Sequence, residues 1–316
     1  MNRSPRVLVA GAGSIGRRHA ENLHAAGAKV SVLDPDRDRE RAAVEALRGV
    51  EGIHGDSIPG GFDGVVVASP TVLHATQTRA ALDSGARVLV EKPLACSCAD
   101  VPDVALGDRV CVGYNLRFVE PLRRLVDAVH HGDIGEIRSA RVWFGSWLPG
   151  WRAHDYRDTY SAQRALGGGV LLDAIHELDE VVWLFGDDRF DIAGALVQRL
   201  GDLDLDVEDS VRALLVHTSG APVEVALDYL SRAYRRGIEV VGSAATIRYD
   251  WATERLEREG PDRSASESVA PDVDRAYAEE ARAFVAWVAG GPPLPVTGAS
   301  AMASLGLADR IREHAR

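Results

Sequence analysis

The stretch VLVAGAGSIGRRHAENLHAAGAKVSVLD, Val7–Asp34, opens on a short apolar run, Val7–Ala10, that reads as a buried strand. Ile15–Ala26 then carries apolar residues at helical spacing and ends at Gly27, and Val30–Leu33 is a second strand. Between the first strand and the helix lies Gly11-Ala12-Gly13-Ser14-Ile15-Gly16, a GxGxxG. Alone the motif is weak; inside a strand–loop–helix–strand unit it is a dinucleotide fingerprint. Gly11 permits the tight turn, Gly13 lets the backbone approach a pyrophosphate, and Gly16 allows close helix–sheet packing. The helix start offers N–H groups and a partial positive charge to phosphates. Asp34 ends the second strand, 18 residues after Gly16. A carboxylate there can accept from both adenosine ribose hydroxyls and repels a 2′-phosphate, which favours NAD over NADP. Arg37 and Arg39 lie close behind and soften that preference.

Outward from this unit, strand and helix keep alternating. Arg37–Leu47 and Val72–Leu82 read as helices; Gly64–Ala68, Arg87–Val90 and Arg109–Val112 read as fully buried strands. Such runs imply a parallel sheet covered on both faces. After about Phe118 the pattern changes. A helix over Pro121–His131 precedes partly alternating segments at Ile137–Phe144, Ile192–Leu200, Ser210–Thr218, Val223–Leu230 and Ile238–Tyr249. They suit an antiparallel sheet with one face covered. One helix over Gly169–Leu184 interrupts them, Pro261–Asp274 reads as an exposed loop, and Arg275–Ala289 and Ala299–Ala315 are the last helices. Two domains are expected, 1–118 and 119–316, in line with a length of 316 residues.

Composition narrows the function classes. An apolar share of 46% with 26% charged residues is that of an ordinary globular protein. A net charge of −11 argues against nucleic acid as a partner. No apolar run approaches the roughly 20 residues of a membrane span, and no signal segment precedes the first strand. Three cysteines, Cys96, Cys98 and Cys111, suit reduced thiols in a cytoplasm. Cys96 and Cys98 have no matching second pair for a metal site, and HELDE (176–180) lacks the second His of a metalloprotease helix, so no metal is expected.

Glu91-Lys92-Pro93 follows a buried strand, at the carboxyl edge where ligands sit in open α/β folds. Alone, Lys92 could be a surface lysine before a turn. It belongs to an ordered set: GAGSIGRRH (11–19), SPTVLH (69–74), VLVEKPLA (88–95), GYNLRF (113–118), GGGVLLDAIHELD (167–179), YAEEARAFVAWV (277–288) and PVTGASAMASLGLA (295–308). Together these resemble the Gfo/Idh/MocA oxidoreductases over essentially the whole chain. The resemblance implies an α/β fold: an N-terminal Rossmann domain, then an α+β domain built on a large, mostly antiparallel open sheet. That sheet commonly packs against a partner subunit in the family, implying a homodimer or homotetramer, and the active site lies between the domains. The family's catalytic residues carry over as Lys92, Asp173 and His176. Ser69, Pro70, His74, Glu91 and Asn115 fall where the cofactor binds, and Arg117 where substrate does. Many members separate the Asp and His by three residues. Here two intervene, Ala174 and Ile175, as in a D-x-x-H-E-x-D branch found among bacterial sugar-modifying enzymes.

Residues at i and i+3 share a helix face, so Asp173 and His176 are expected to point together, with Glu180 a turn further on. Gly167-Gly168-Gly169 is expected to supply free N–H groups and room for a cofactor or sugar. A histidine suits proton transfer near neutral pH, and Lys92 can stabilise charge developing on the same oxygen. His74 lines the cofactor site or packs a helix. Trp143, Trp147 and Trp151 can stack on sugar faces or anchor a core and loop. Arg152, His154, Arg157 and Arg164 could hold a phosphate or carboxylate unless Asp155 and Asp158 neutralise them. The leading expectation is an NAD-dependent dehydrogenase or ketoreductase acting on a small sugar, cyclitol or nucleotide-sugar derivative. An NAD-dependent glycosidase working by transient oxidation and elimination, and a non-catalytic NAD-sensing regulator, are the alternatives.

Overall fold

In a computed structural model, residues 3–47, 49–151 and 155–315 are described. The chain divides into two units, 1–118 with 273–302, and 119–272 with 303–316.

The first unit runs β1 (Arg6–Ala10), α1 (Ser14–Ala25), β2 (Lys29–Asp34), α2 (Arg37–Ala46), β3 (Glu51–His54), β4 (Gly64–Val67), α3 (His74–Asp83), β5 (Arg87–Glu91) and β6 (Val110–Gly113). All its strands pair in parallel, in the order β3-β2-β1-β4-β5-β6. The order reverses beside β1, which opens a crevice beyond the carboxyl ends of β1 and β4. Val7–Ala10, Val65–Val67 and Val88–Val90 are buried, as continuous apolar strands require.

The second unit contains α4 (Glu120–His130), β7 (Ile137–Gly145), α5 (Val170–Asp173), α6 (Ile175–Phe185), β8 (Phe190–Gln198), β9 (Ser210–His217), β10 (Pro222–Asp228), β11 (Arg235–Gly242), β12 (Thr246–Asp250), β13 (Arg255–Glu259) and β14 (Ser264–Ser268). Its sheet has the order β14-β13-β12-β11-β7-β10-β9-β8. Every pairing is antiparallel except β7 with β10.

Three expectations are revised. The segment after 118 does not all belong to the second unit. α7 (Val273–Val288) lays Ala281, Phe284 and Trp287 into the core formed by Val7, Val9, Val66 and Leu89, so it completes the first unit. α8 (Gly298–His314) follows. The loop expected at 261–274 contains β14, which is exposed along its whole length and paired to β13 by backbone. The run Ile238–Tyr249 is two strands of a hairpin, not one.

Candidate active site

The carboxyl edge of the first sheet gathers most of the expected cofactor residues. Gly11 has φ +103°, and a Cβ there would lie 2.6 Å from the Ala68 carbonyl oxygen. A Cβ at Gly16 would lie 1.7 Å from the Gly11 oxygen. Both glycines are therefore demanded by packing. Gly13 differs: a Cβ there would meet nothing within 4 Å. It begins α1, whose start has no side-chain cap and no acidic residue in its first turn. That is the open, electropositive cradle a pyrophosphate needs. Ser14 is exposed, Ile15 half-buried and Ala12 buried.

Asp34 is buried at the end of β2. Its Oδ2 accepts from the Ala12 N–H at 2.7 Å and its Oδ1 from the Asp36 N–H at 2.8 Å. The carboxylate thus fixes the glycine loop. Arg39 sits 4.0 Å from it, bound more closely to Asp36 at 3.1 Å. Asp36 falls below the ordinary carboxylate range, chiefly through hydrogen bonds from Arg39.

Lys92 follows β5 and is half-buried, with a cis bond to Pro93. Its own backbone N–H donates to Glu91 Oε2 at 3.1 Å. His74 is buried, and both ring nitrogens face carbonyl groups, Pro93 at 2.7 Å and Ser69 at 2.9 Å. Burial lowers its pKa against the pull of those two carbonyls. The ring staples the Ser69-Pro70 turn to the turn carrying Lys92. Ser69 Oγ donates to Gln77 Oε1 at 2.7 Å. Asn115 is buried and Arg117 half-buried in the turn after β6.

In the second unit the helix expected to carry both Asp173 and His176 is broken at Ala174, whose φ and ψ are −96° and 31°. Asp173 ends α5, and His176 lies one residue into α6. The two-residue spacing is thus accommodated by a break, not by a shared face of one helix. Both side chains are buried. Asp173 accepts a short hydrogen bond from the Tyr160 hydroxyl on Oδ1 and one of 2.6 Å from Tyr229 on Oδ2. Burial and the Asp173 charge push the Tyr229 phenol well above its usual range.

The triple glycine also differs from expectation. A Cβ at Gly168 would lie 2.2 Å from the Tyr160 oxygen, and one at Gly169 2.3 Å from the Glu208 carboxylate. Glu208 accepts from the Val170 N–H through its backbone and from the Leu171 N–H through its side chain. These glycines make room for protein, and Glu208 occupies the helix start. Burial raises the Glu208 pKa, Arg312 opposing.

The aromatic segment is dispersed. Trp143 stacks under Arg141, and Trp147 lies against the Arg232 guanidinium at 3.4 Å. Trp151 donates to Ser146 Oγ at 2.8 Å and packs edge-on to Phe144 and Tyr229, supporting the tyrosine that holds Asp173. Arg157 grips Asp155, which drops to about 2 through that hydrogen bond. Its charge is matched by protein, so the anion-binding expectation loses this residue. Arg164 is engaged by Asp206. Arg152 and His154 lie outside the described residues.

Residues 5–106 match the oxidoreductase family with an NAD-binding Rossmann fold, and residues 122–248 match the GFO/IDH/MocA C-terminal domain. A 1,5-anhydro-D-fructose reductase from Ensifer adhaerens is 30% identical over 237 residues, 70% of this chain and 68% of that protein. The chain belongs to the GFO/IDH/MocA oxidoreductase family. Solved structures share its fold. An oxidoreductase from Agrobacterium radiobacter, in complex with NAD+, L-tartaric acid and magnesium, has a TM-score of 0.85 at 21% identity, covering 99% of this chain and 96% of that one. A 3-ketoreductase from Actinomadura kijaniata, in complex with TDP-benzene and NADP, has a TM-score of 0.80 at 23% identity, covering 99% and 98%.

Proposed function

We propose that this family member is a dehydrogenase or ketoreductase that prefers NAD and acts on a secondary alcohol or ketone of a sugar, cyclitol or nucleotide-sugar. The observation that carries the reading is the carboxyl edge of the first sheet. There an open Gly13 cradle follows β1, the Asp34 carboxylate ends the adjacent β2, and the Lys92 turn follows β5, two strands from β1 on its other side. The glycine loop would hold the pyrophosphate, Asp34 the adenosine ribose, and the Ser69–Lys92 region the nicotinamide half. When bound, the nicotinamide supplies the hydride acceptor or donor.

The chain's own residues supply the rest. His176 takes the substrate hydroxyl proton during oxidation and returns it during reduction. Lys92 hydrogen-bonds the same oxygen and stabilises its developing negative charge. Asp173, held by Tyr160 and Tyr229, orients His176 or binds a neighbouring substrate hydroxyl. Arg117 contributes a substrate contact, and Trp151 supports Tyr229, which holds Asp173. The outward sheet face, with Leu196, Leu214 and Val241 exposed, serves a homodimer or homotetramer. The three free cysteines suit a cytoplasmic enzyme.

The deciding experiment screens free, phosphorylated and nucleotide-linked sugars with NAD and NADP, following reduced-cofactor absorbance. Turnover of a polyol or ketose is expected. Aglycone release without net NADH would instead select the glycosidase reading. For the cofactor, Asp34→Ala is expected to weaken NAD by about tenfold, one lost charge-assisted hydrogen-bond set, and NADP less. Equal losses would show that Asp34 serves only the Ala12 loop.

A further inference from the structure

Beneath the Lys92 turn, the first unit buries three ionisable side chains that the proposed chemistry does not use. His19 comes from α1, Glu91 from the end of β5 and Glu280 from α7. They are 1%, 8% and 0% exposed. One polar atom from each lies within 4.8 Å of the other two. His19 Nε2 and Glu91 Oε1 share a hydrogen bond of 2.6 Å, and Glu91 Oε2 accepts the Lys92 backbone N–H. Among the described residues, neither oxygen of Glu280 has a hydrogen-bond partner.

Two carboxylates so close and so buried cannot both carry charge, because each is penalised by lost hydration and by the other. His19 hydrogen-bonds Glu91. A divalent ion could in principle satisfy such a donor set. Ligands about 2.0–2.2 Å from a tetrahedral metal stand about 3.3 Å apart, however. The His19–Glu91 separation is that of a shared proton. We propose that His19, Glu91 and Glu280 form a proton-holding triad, with one proton in the His19–Glu91 hydrogen bond and a second on Glu280, and that this triad positions Lys92.

The triad ties together three elements that the chemistry needs in register. α1 follows the glycine loop, the β5 end carries Lys92, and α7 closes the core behind both. A neutral Glu280 leaves Glu91 as the single buried anion, free to hold the Lys92 N–H. Burial, and then the Glu91 charge, push the Glu280 carboxyl well above its ordinary range. Burial also pulls Glu91 upward, but the hydrogen bond and charge of His19 outweigh it, and Glu91 falls below its range. The other charged or titratable groups facing the triad are few. Lys92 lies beyond Glu91, and the Tyr277 ring stands edge-on to His19 at 5.7 Å. Arg18 covers that ring at 4.9 Å and pairs with Asp274, while Arg117 rides on the turn packed against α7.

The test uses the whole protein, native and as Glu280→Gln and Glu280→Ala. Infrared difference spectra of native against Glu280→Gln at pH 8 are expected to show a protonated-carboxyl band that disappears in the variant. Below the ordinary glutamate range Glu280 is protonated whether folded or not. Above it, the folded state alone keeps the proton, so native stability falls as pH rises. The melting advantage of Glu280→Gln over native should therefore grow from pH 5 to pH 8. Glu280→Ala should lower kcat about 10–10²-fold with little change in the NAD dissociation constant, as expected of a displaced catalytic group, and Glu280→Gln should recover most of it. No band, or a Glu280→Gln protein that melts below native at pH 8, overturns the proton assignment. So does one equivalent of divalent metal found in native protein and lost from the variant. Undiminished kcat in Glu280→Ala overturns the positioning role alone. The kinetic arm rests on the proposed role of Lys92; absence of turnover in native enzyme would sink that reading while the spectroscopic and melting results still judge the triad.

Discussion

Lys92→Ala is expected to lower kcat about 10²–10³-fold, the scale of removing one donor that stabilises a developing oxyanion. The NAD dissociation constant should move far less, by about threefold at most, since binding common to ground and transition states is not what the lysine supplies. The reason is its place. Lys92 follows β5 at the carboxyl edge, its backbone N–H is held by Glu91, and Pro93 is tied through His74 to the Ser69 turn. The backbone is fixed from two sides, so shortening the side chain leaves the turn in place. His176→Ala is expected to cost about 10²–10⁴-fold in kcat and to remove the acid limb of the pH profile for oxidation. Stopped-flow measurement of NADH formation separates the two effects. If Lys92→Ala weakens NAD in proportion to its loss of kcat, the lysine is a structural part of the turn. If His176→Ala retains the native pH profile, another group takes the proton.

Much of this arrangement was legible along the chain because it is local. The glycine loop, the strand before it and the helix after it occupy Val7–Ala26, and the spacing of apolar residues set all three. Val65–Val67 and Val88–Val90 announced buried parallel strands for the same reason. What escaped is non-local or lacks a side-chain pattern. β14, Ser-Ala-Ser-Glu-Ser, is exposed on both faces, so no alternation marks it; only the backbone of β13 makes it a strand. Tyr160 and Tyr229 reach Asp173 from 13 and 56 residues away, and no spacing rule joins them. The i, i+3 argument for Asp173 and His176 assumed a continuous helix. Glu208 fills the space beside Gly169 and caps α5, a short first helix that ends at Asp173. Glu280 lies in the YAEEARAFVAWV run, but its burial against Glu91 depends on α7 returning to the first unit.

Glu177→Ala is expected to destabilise the second unit by about 3–5 kcal/mol, because it strands a buried cation. Glu177 is fully buried beside His176 in α6, and its Oε1 lies 2.7 Å from Arg236 Nε on β11. Burial works against the Arg236 charge, but Glu177, with Tyr234 and Glu180 adding to it, raises its pKa. Phe144 and Trp251 flank the guanidinium at 5.5 and 5.0 Å, contacts that attract a cation without neutralising it. Removing Glu177 therefore leaves Glu180 as the nearest remaining counter-charge, which sets the loss toward the lower part of that range. For a unit of this size the loss corresponds to roughly 10 °C in melting temperature. The double variant Glu177→Leu with Arg236→Met removes both charges and should recover most of the loss, since replacing a buried ion pair by packed apolar groups is often neutral. Chemical denaturation of the two singles and the double closes the cycle. An additive double variant would mean that the pair is not coupled, and that α6 is held to β11 by its apolar contacts instead.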